Sequence, residues 1–335
     1  MAAGREEIYD NHGRPIRYAR ISVTDRCNLR CFYCMPEKGI DHAPRKDLLQ
    51  DAELLRLSRI LTELGITKLR ITGGEPFMRK GILQLIEKLN RLPLLQEIHL
   101  TTNGTHAAKW VPRFRDWGIR SVNLSLDTLD ARRFEEITRR NFFPEVARTL
   151  ETLLSTGMPT KINAVVMVGK NIEDILPLCE LTRDYPVGVR FIEEMPFNGV
   201  ANHYEELVWN HQMIAAYLQE HYPNLVKLED PPASTASTYQ IPGYSGSLGI
   251  IAAYSRTFCG TCNRIRITPQ GMLKTCLYDH GVLQIRDRMR AGHKDDELKE
   301  ALQTCFSQRA KDGWEAERNR SAHFPAIESM ATIGG

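Results

Sequence analysis

From about residue 18 to about residue 195, two kinds of run take turns along the chain. The first kind is short and rich in β-branched and apolar residues: YARISV (18–23), TKLRIT (67–72), EIHLTT (97–102), RSVNLSL (120–126), TKINAVVMV (160–168) and VGVRFIE (187–193). These read as strands. The second kind carries apolar residues at helical spacing. DAELLRLSRILTELG opens on an acidic turn and stops at Gly65, GILQLIEKLNRL ends before Pro93, and FPEVARTLETLLSTG stops at Gly157. Those are the start and stop signals of helices. HAAKWVPRFRDWG is predicted as a helix with an irregular start because of Pro112, and IEDILPLCELTRD as a shorter one. Strand and helix alternating six times predicts parallel βα units and an α/β fold. Six such units curl into a partial barrel; a doubly wound open sheet is the structural alternative.

Beyond residue 200 the pattern changes. A helical WNHQMIAAYLQEHY leads into the polar, proline-containing LEDPPASTASTYQIPGYSGS. LGIIAAYS and RIRITPQGMLKTC read as strands of a smaller appended region, and GHKDDELKEALQTCFSQRAKD as an amphipathic helix. RSAHFPAIESMATIGG has little periodicity and is expected to be a tail. The expected divisions are a flexible N-terminus over 1–13, a partial barrel over 14–200, a C-terminal region over 201–320 and a tail over 321–335.

A chain of 335 residues, 42% hydrophobic and 25% charged, has the balance of a globular protein able to bury a large core. Its net charge of +3 is too small to argue for nucleic acid. No apolar run approaches the roughly 20 residues of a membrane helix. MAAGREEIYDNHGRP has no apolar core of a secretory signal, so a cytoplasmic location is expected. Disulfides are rare there, which changes the reading of the eight cysteines. Cys179 and Cys305 stand alone and are expected to be buried small hydrophobes. The other six fall into two sets with ligand spacing.

Cys27, Cys31 and Cys34 form C-x3-C-x2-C just after the first strand. Cys259, Cys262 and Cys276 form C-x2-C-x13-C. Structural zinc takes four protein ligands. His280 is placed to be the fourth for the second set, whereas the first set has none nearer downstream than His42. A four-iron cluster held by three cysteines would instead leave one iron open to a small molecule. Arg264 and Arg266 share one face of a strand inside the second set, a fork pair suited to phosphate oxygens.

With Tyr33 before the last cysteine, and with GGEP (73–76) at the end of the second strand, the first set resembles the signature of the radical S-adenosylmethionine (SAM) superfamily. In that superfamily SAM itself takes the open iron. GGEP, TTNG (101–104), SLD (125–127) and Met195 all follow strands, so they lie on the same rim as Cys27. Taken in order, RYARISVTDRCNLRCFYCMP, LRITGGEPFMRKG, LTTNG, VNLSLDTL, FIEEM, FCGTCNRIRIT…C and the terminal Gly334-Gly335 resemble the GTP 3′,8-cyclase family of molybdenum cofactor biosynthesis. The likeness runs from about Arg14 to Gly335. Phe77 and Pro269-Gln270 depart from it, at positions that are not implied ligands.

The resemblance implies an incomplete (β/α)6 TIM-like barrel of the radical SAM type, with a smaller C-terminal region carrying a second iron–sulfur cluster. It implies two [4Fe–4S] clusters, one on Cys27, Cys31 and Cys34 with SAM, the other on Cys259, Cys262 and Cys276 facing GTP. SAM would touch Tyr33, Gly74, Ser125 and Met195. GTP would be held by Arg20, Arg70, Thr101, Lys161, Arg264 and Arg266. No Walker loop is present, so such basic side chains would have to meet the triphosphate. Gly334 and Gly335 would reach the active site. The implied reaction takes hydrogen from C3′ of the ribose and joins C3′ to C8 of guanine. An electron donor such as flavodoxin or ferredoxin and a downstream pyranopterin synthase are the implied partners, and a homodimer is left open. Rival readings are another radical SAM enzyme with an auxiliary cluster and a zinc-binding RNA-recognition protein.

Overall fold

The computed structural model describes residues 7–195, 197, 209–320 and 328–334. Twelve strands form one sheet: β1 (Tyr18–Ser22), β2 (Lys68–Thr72), β3 (Glu97–Thr102), β4 (Ile119–Ser125), β5 (Thr160–Val166), β6 (Gly188–Glu193), β7 (Val226–Lys227), β8 (Ser237–Gln240), β9 (Ser247–Ile251), β10 (Arg264–Ile267), β11 (Met272–Lys274) and β12 (Leu283–Gln284). Ten helices accompany them among the described residues: α1 (Asp51–Glu63), α2 (Ile82–Asn90), α3 (Ala131–Thr138), α4 (Phe143–Ser155), α5 (Ile175–Asp184), α6 (His211–His221), α7 (Ile285–Arg290), α8 (Asp295–Phe306), α9 (Gly313–Arg318) and α10 (Met330–Ile333).

The strand order is β12-β11-β10-β1-β2-β3-β4-β5-β6-β9-β8-β7. The six expected parallel strands stand side by side in chain order. The C-terminal region is built into the same sheet: β9 pairs parallel with β6, and β10 pairs parallel with β1. The link from β9 to β10, which carries Cys259 and Cys262, therefore runs from one edge of the barrel strands to the other. Antiparallel hairpins finish both sides.

Alternation along the strands divides their two faces. Ala19, Ile21, Leu69, Ile71, Leu100, Leu124, Ile162, Val189 and Phe191 point outward and are buried against the helices. α1 supplies Leu54, Leu57, Ile60 and Leu61 to that layer. Each such side chain contributes on the order of 1.5–3 kcal/mol when fully buried. α1 begins with a capping box between Gln50 and Glu53.

Two local expectations change. HAAKWVPRFRDWG forms only a 3-10 helix over Ala108–Arg113, because Pro112 lacks the N–H that an α-helix needs. α3 was not anticipated; Asp130 caps it by accepting from the Arg133 N–H at 2.8 Å. Within the stretch 1–13, residues from Ile8 onward pack. Tyr9 bridges to Pro15, and Asp10 is buried. Cys179 is fully buried in α5, and Cys305 packs partly buried against the core. No helix among the described residues is long and apolar enough to cross a membrane.

Candidate functional site

The inner face of the sheet is polar. Register places Arg20 beside Arg266 on one side and Arg70 on the other. Lys161 stands opposite Asn123 and Gly188, and Arg190 opposite Asn163 and Gly249. These residues share a cavity of about 620 Å³, lined also by Tyr18, Lys68, Arg264, Met195, Cys259, Cys262 and Cys276. Strands from both ends of the parallel set reach the same cavity, so the sheet is curled into a partial barrel.

Seven strand-borne cations thus face one space. Mutual repulsion and enclosure show in the acidity of Lys161, Arg190 and Arg20. Burial, with Arg190 next, holds Lys161 down to about 8. Burial and then Arg70 hold Arg190 down to about 10. Arg20 is pushed well below its ordinary value by burial, then by Arg266. Like charges gathered in a poorly hydrated space are costly unless a polyanion joins them. The protein itself uses part of this set. Arg70 donates to the Tyr18 hydroxyl at 2.5 Å, the Leu100 carbonyl at 3.1 Å and Thr101 Oγ1 at 3.5 Å. Arg264 donates to the Ala233 carbonyl and lies over the Tyr18 ring. Arg266 donates to the Gly334 carbonyl at 2.7 Å.

Tyr18, Lys68 and Arg190 were missed in the sequence. The signal was present: Arg190 in GVRFIE holds the same flanked position as Arg20 in YARIS and Arg70 in KLRIT. A basic residue between two outward apolar residues of a barrel strand must point inward.

The first cysteine set sits on the rim after β1. Asn103, from the loop after β3, aims its amide at Cys27 Sγ, 3.7 Å away. The Asn103 N–H donates to Glu75 Oε2 at 2.7 Å, and Thr102 Oγ1 donates to Glu75 Oε1 at 2.8 Å. Three loops are tied together this way. Burial raises the enclosed Glu75 carboxyl to about 7. Tyr33 donates to Asp127 Oδ2 at 2.8 Å, joining the cysteine loop to the turn after β4. Ser125 ends β4 opposite Asn163, and Met195 follows β6 at the cavity wall. Phe77, a departure from the family pattern, stacks on Phe114 with centroids 6.2 Å apart.

Gly74 packs against the cysteine loop. A Cβ there would lie 2.4 Å from the Arg26 carbonyl oxygen and 3.0 Å from Cys27 Cβ. Gly74→Ala is therefore expected to push that loop outward. Iron analysis after anaerobic assembly should find about half the wild-type content, with the second cluster kept. Undiminished iron would show that the loop tolerates the shift.

In the second set, Asp279 Oδ2 accepts from the Thr275 N–H and the Cys276 N–H, both at 2.8 Å. This fixes the turn that presents Cys276. Burial raises Cys276 to about 12 and Cys27 to about 12. Burial acts the same way on Cys262, but Arg309 and Arg264 outweigh it and lower that thiol.

All eight cysteines are free. Among the described residues, no three His, Cys, Asp or Glu donors converge closely enough to hold one metal ion. Zinc draws sulfur to about 2.3 Å around a single point. His280, the fourth ligand of the zinc alternative, is exposed. Within each set the thiols still feel one another's charge. Three cysteines without a fourth protein ligand are the donor set of a four-iron cluster with one iron open, and Cys259, Cys262 and Cys276 all line the one cavity.

The tail returns to this site. Ser329 Oγ donates to the Cys34 carbonyl at 2.7 Å, which sets the start of α10 beside Cys34. Gly334 has φ +77°, and a Cβ there would lie 2.7 Å from Thr72 Oγ1. Gly335 lies outside the described residues.

The Radical SAM superfamily profile matches residues 21–182, and the Molybdenum Cofactor Synthesis C profile matches residues 187–314. The chain is 40% identical over 324 residues to a GTP 3′,8-cyclase of Syntrophomonas wolfei, covering 94% of this chain and 99% of that one. It is 38% identical over 332 residues to the mitochondrial GTP 3′,8-cyclase of Arabidopsis thaliana, covering 97% and 81%. Molybdenum cofactor biosynthesis protein 1 of Mus musculus is 42% identical over 292 residues, covering 87% of this chain but 46% of its own length. The chain thus spans about half of that longer relative. A solved structure of Streptococcus suis SuiB bound to S-adenosylmethionine shares the fold, with a TM-score of 0.55 at 15% identity, covering 79% of this chain and 62% of that one.

Proposed function

The chain belongs to the GTP 3′,8-cyclase family of molybdenum cofactor biosynthesis, and from that premise we propose that it cyclises GTP to 3′,8-cyclo-7,8-dihydro-GTP. The observation that carries the reading is the cavity, in which seven inward cations meet the cysteines of the second set. A triphosphate answers the charge, and an iron left open by three cysteines answers the base.

The roles follow residue by residue. Cys27, Cys31 and Cys34 hold the cluster that chelates SAM; Tyr33, Gly74, Ser125 and Met195 bound the SAM site. Cys259, Cys262 and Cys276 hold the second cluster. Arg20, Arg70, Thr101, Lys161, Arg264 and Arg266 bind GTP, and Arg190 and Lys68 extend that set. When bound, the first cluster and SAM supply one-electron cleavage to methionine and a 5′-deoxyadenosyl radical. The protein's task is position: the basic ring fixes the ribose so that C3′ faces the rim where SAM binds. The hydrogen atom of C3′ would go to that radical, giving 5′-deoxyadenosine; the ribose held by this basic ring would then join C3′ to C8, and one electron and one proton would complete the product. A flavodoxin- or ferredoxin-type donor supplies the electrons. A separate enzyme then builds the pyranopterin. The cysteine usage favours the cytoplasm.

The test is anaerobic incubation with SAM, dithionite and GTP labelled with deuterium at C3′. The expected result is a new nucleotide isomer together with 5′-deoxyadenosine carrying the label. Unlabelled 5′-deoxyadenosine with GTP unchanged would overturn the reading.

Arg264→Ala and Arg266→Ala are each expected to weaken GTP binding by roughly 1–3 kcal/mol, the scale of a lost charge-assisted hydrogen bond, while SAM binding hardly changes. Titration calorimetry with each ligand checks this. Unaltered GTP affinity with weakened SAM binding would reverse the assignment.

A further inference from the structure

Behind the second cysteine set lies a buried cluster of charge that no sequence motif announced. Asp10 Oδ2 accepts from Arg14 Nε at 2.6 Å and pairs with Arg309 Nη1 at 3.3 Å. The three side chains are at most 7% exposed. Between them the two guanidiniums reach every segment that carries a cysteine of the set. Arg14 donates to the Cys259 carbonyl at 3.0 Å. Arg309 donates to the Cys262 carbonyl at 2.8 Å and to the carbonyl of Thr275, beside Cys276, at 2.9 Å. Its Nη2 donates to the Arg264 carbonyl at 2.8 Å and also lies 3.2 Å from Cys262 Sγ.

Two buried guanidiniums share one carboxylate, so the cluster keeps one positive charge in excess. Burying such a charge is costly without a partner anion. The group it meets is a cysteine sulfur, which is an anion only as a thiolate, the form that ligates metal. An arginine serving only to brace loops would need the carbonyls and not the sulfur.

We propose that Asp10, Arg14 and Arg309 are the seat of the second cluster: the pair of arginines positions its three cysteines, and the Arg309 N–H···S bond raises its reduction potential. The inference rests on the two-cluster reading above. A hydrogen bond to a ligand sulfur favours the more negative, reduced state, and such bonds are among the levers that set iron–sulfur potentials. Asp10 works in the opposite sense, since its carboxylate offsets the cation while orienting it.

The test uses the full chain with both clusters assembled anaerobically, read by iron content and by a redox titration followed by electron paramagnetic resonance. Wild-type protein without a second cluster signal would sink the two-cluster reading itself. Given that signal, Arg309→Gln is expected to move the second cluster's midpoint to more negative potential while the first cluster's stays put. Arg309→Lys, which keeps the charge but not the fork, should recover part of the shift. Asp10→Asn should move the midpoint the other way. Loss of the second cluster alone in Arg309→Gln would support the seat, with Asp10→Asn then reading the potential. Full iron with an unmoved second midpoint in Arg309→Gln, or in Asp10→Asn where the first variant does not fold, overturns the proposal. Equal shifts of both clusters would also overturn it, because they report general loosening.

Discussion

Replacing Cys27, Cys31 and Cys34 together with alanine is expected to leave about four irons per chain, half of the about eight expected of the wild-type protein. Production of 5′-deoxyadenosine should cease in the same variant. The two sets lie on different parts of the barrel: the first on the rim after β1, the second on the link between β9 and β10 and on the turn after β11. Each has its own supports. Asn103 and Glu75 brace the first, and Asp279 braces the second. Removing one set should therefore spare the other. The reciprocal variant at Cys259, Cys262 and Cys276 should keep the first cluster and still cleave SAM, yet give no cyclised nucleotide. Metal analysis and anaerobic product analysis read both outcomes. Stoichiometric zinc in the wild-type protein would sink the assignment for the set that holds it, and so would loss of all iron from a correctly folded single-set variant.

The six barrel strands were legible because each carries its apolar residues on one pleat face, as in YARIS and KLRIT. The rim was legible too, since motifs placed after parallel strands must fall on one end of a barrel. What could not be read was long-range pairing. Nothing local in LGIIAAYS or RIRITPQGMLKTC says that β9 will join β6 and β10 will join β1. Those two pairings set Arg266 beside Arg20 and close the cavity. The seat around Asp10 was hidden for a similar reason. Asp10 and Arg309 sit in unremarkable stretches near opposite ends of the chain, and only folding pairs them and brings Arg309 to the Cys262 sulfur. α3 is a different case: Asp130 supplied a cap that could have been noticed. Pro112, conversely, acts beyond the start of its segment: a 3-10 helix over Ala108–Arg113 replaces the expected α-helix.

Deleting Gly334 and Gly335 is expected to leave iron content and folding intact while abolishing cyclised GTP. Glycine at a chain end ordinarily needs no explanation, but Gly334 is buried in a crowded place. It adopts a left-handed conformation with φ +77°, and Thr72 and Ser22 leave no room for a Cβ. The tail that carries it touches both halves of the site. Ser329 and the start of α10 lie against Cys34, and the Gly334 carbonyl accepts from Arg266. Just before them Glu328 pairs with Lys274 at 2.6 Å, a lysine whose side chain is 1% exposed, which anchors the tail independently of its last residues. Truncation should therefore free Arg266 and open the space beside Thr72 without undocking Ser329 from Cys34. Gly334→Ala should fail in the same way for a steric reason, with a backbone cost of about 1–2 kcal/mol for the left-handed conformation before any clash is counted. Chromatography of anaerobic reactions would follow the nucleotide, and 5′-deoxyadenosine would be measured alongside it. Continued SAM cleavage without cyclised product would place the glycines at the coupling of radical formation to GTP, and a synthetic peptide of the tail should restore part of the activity. A truncated protein that cyclises GTP at the full rate would remove the tail from the mechanism.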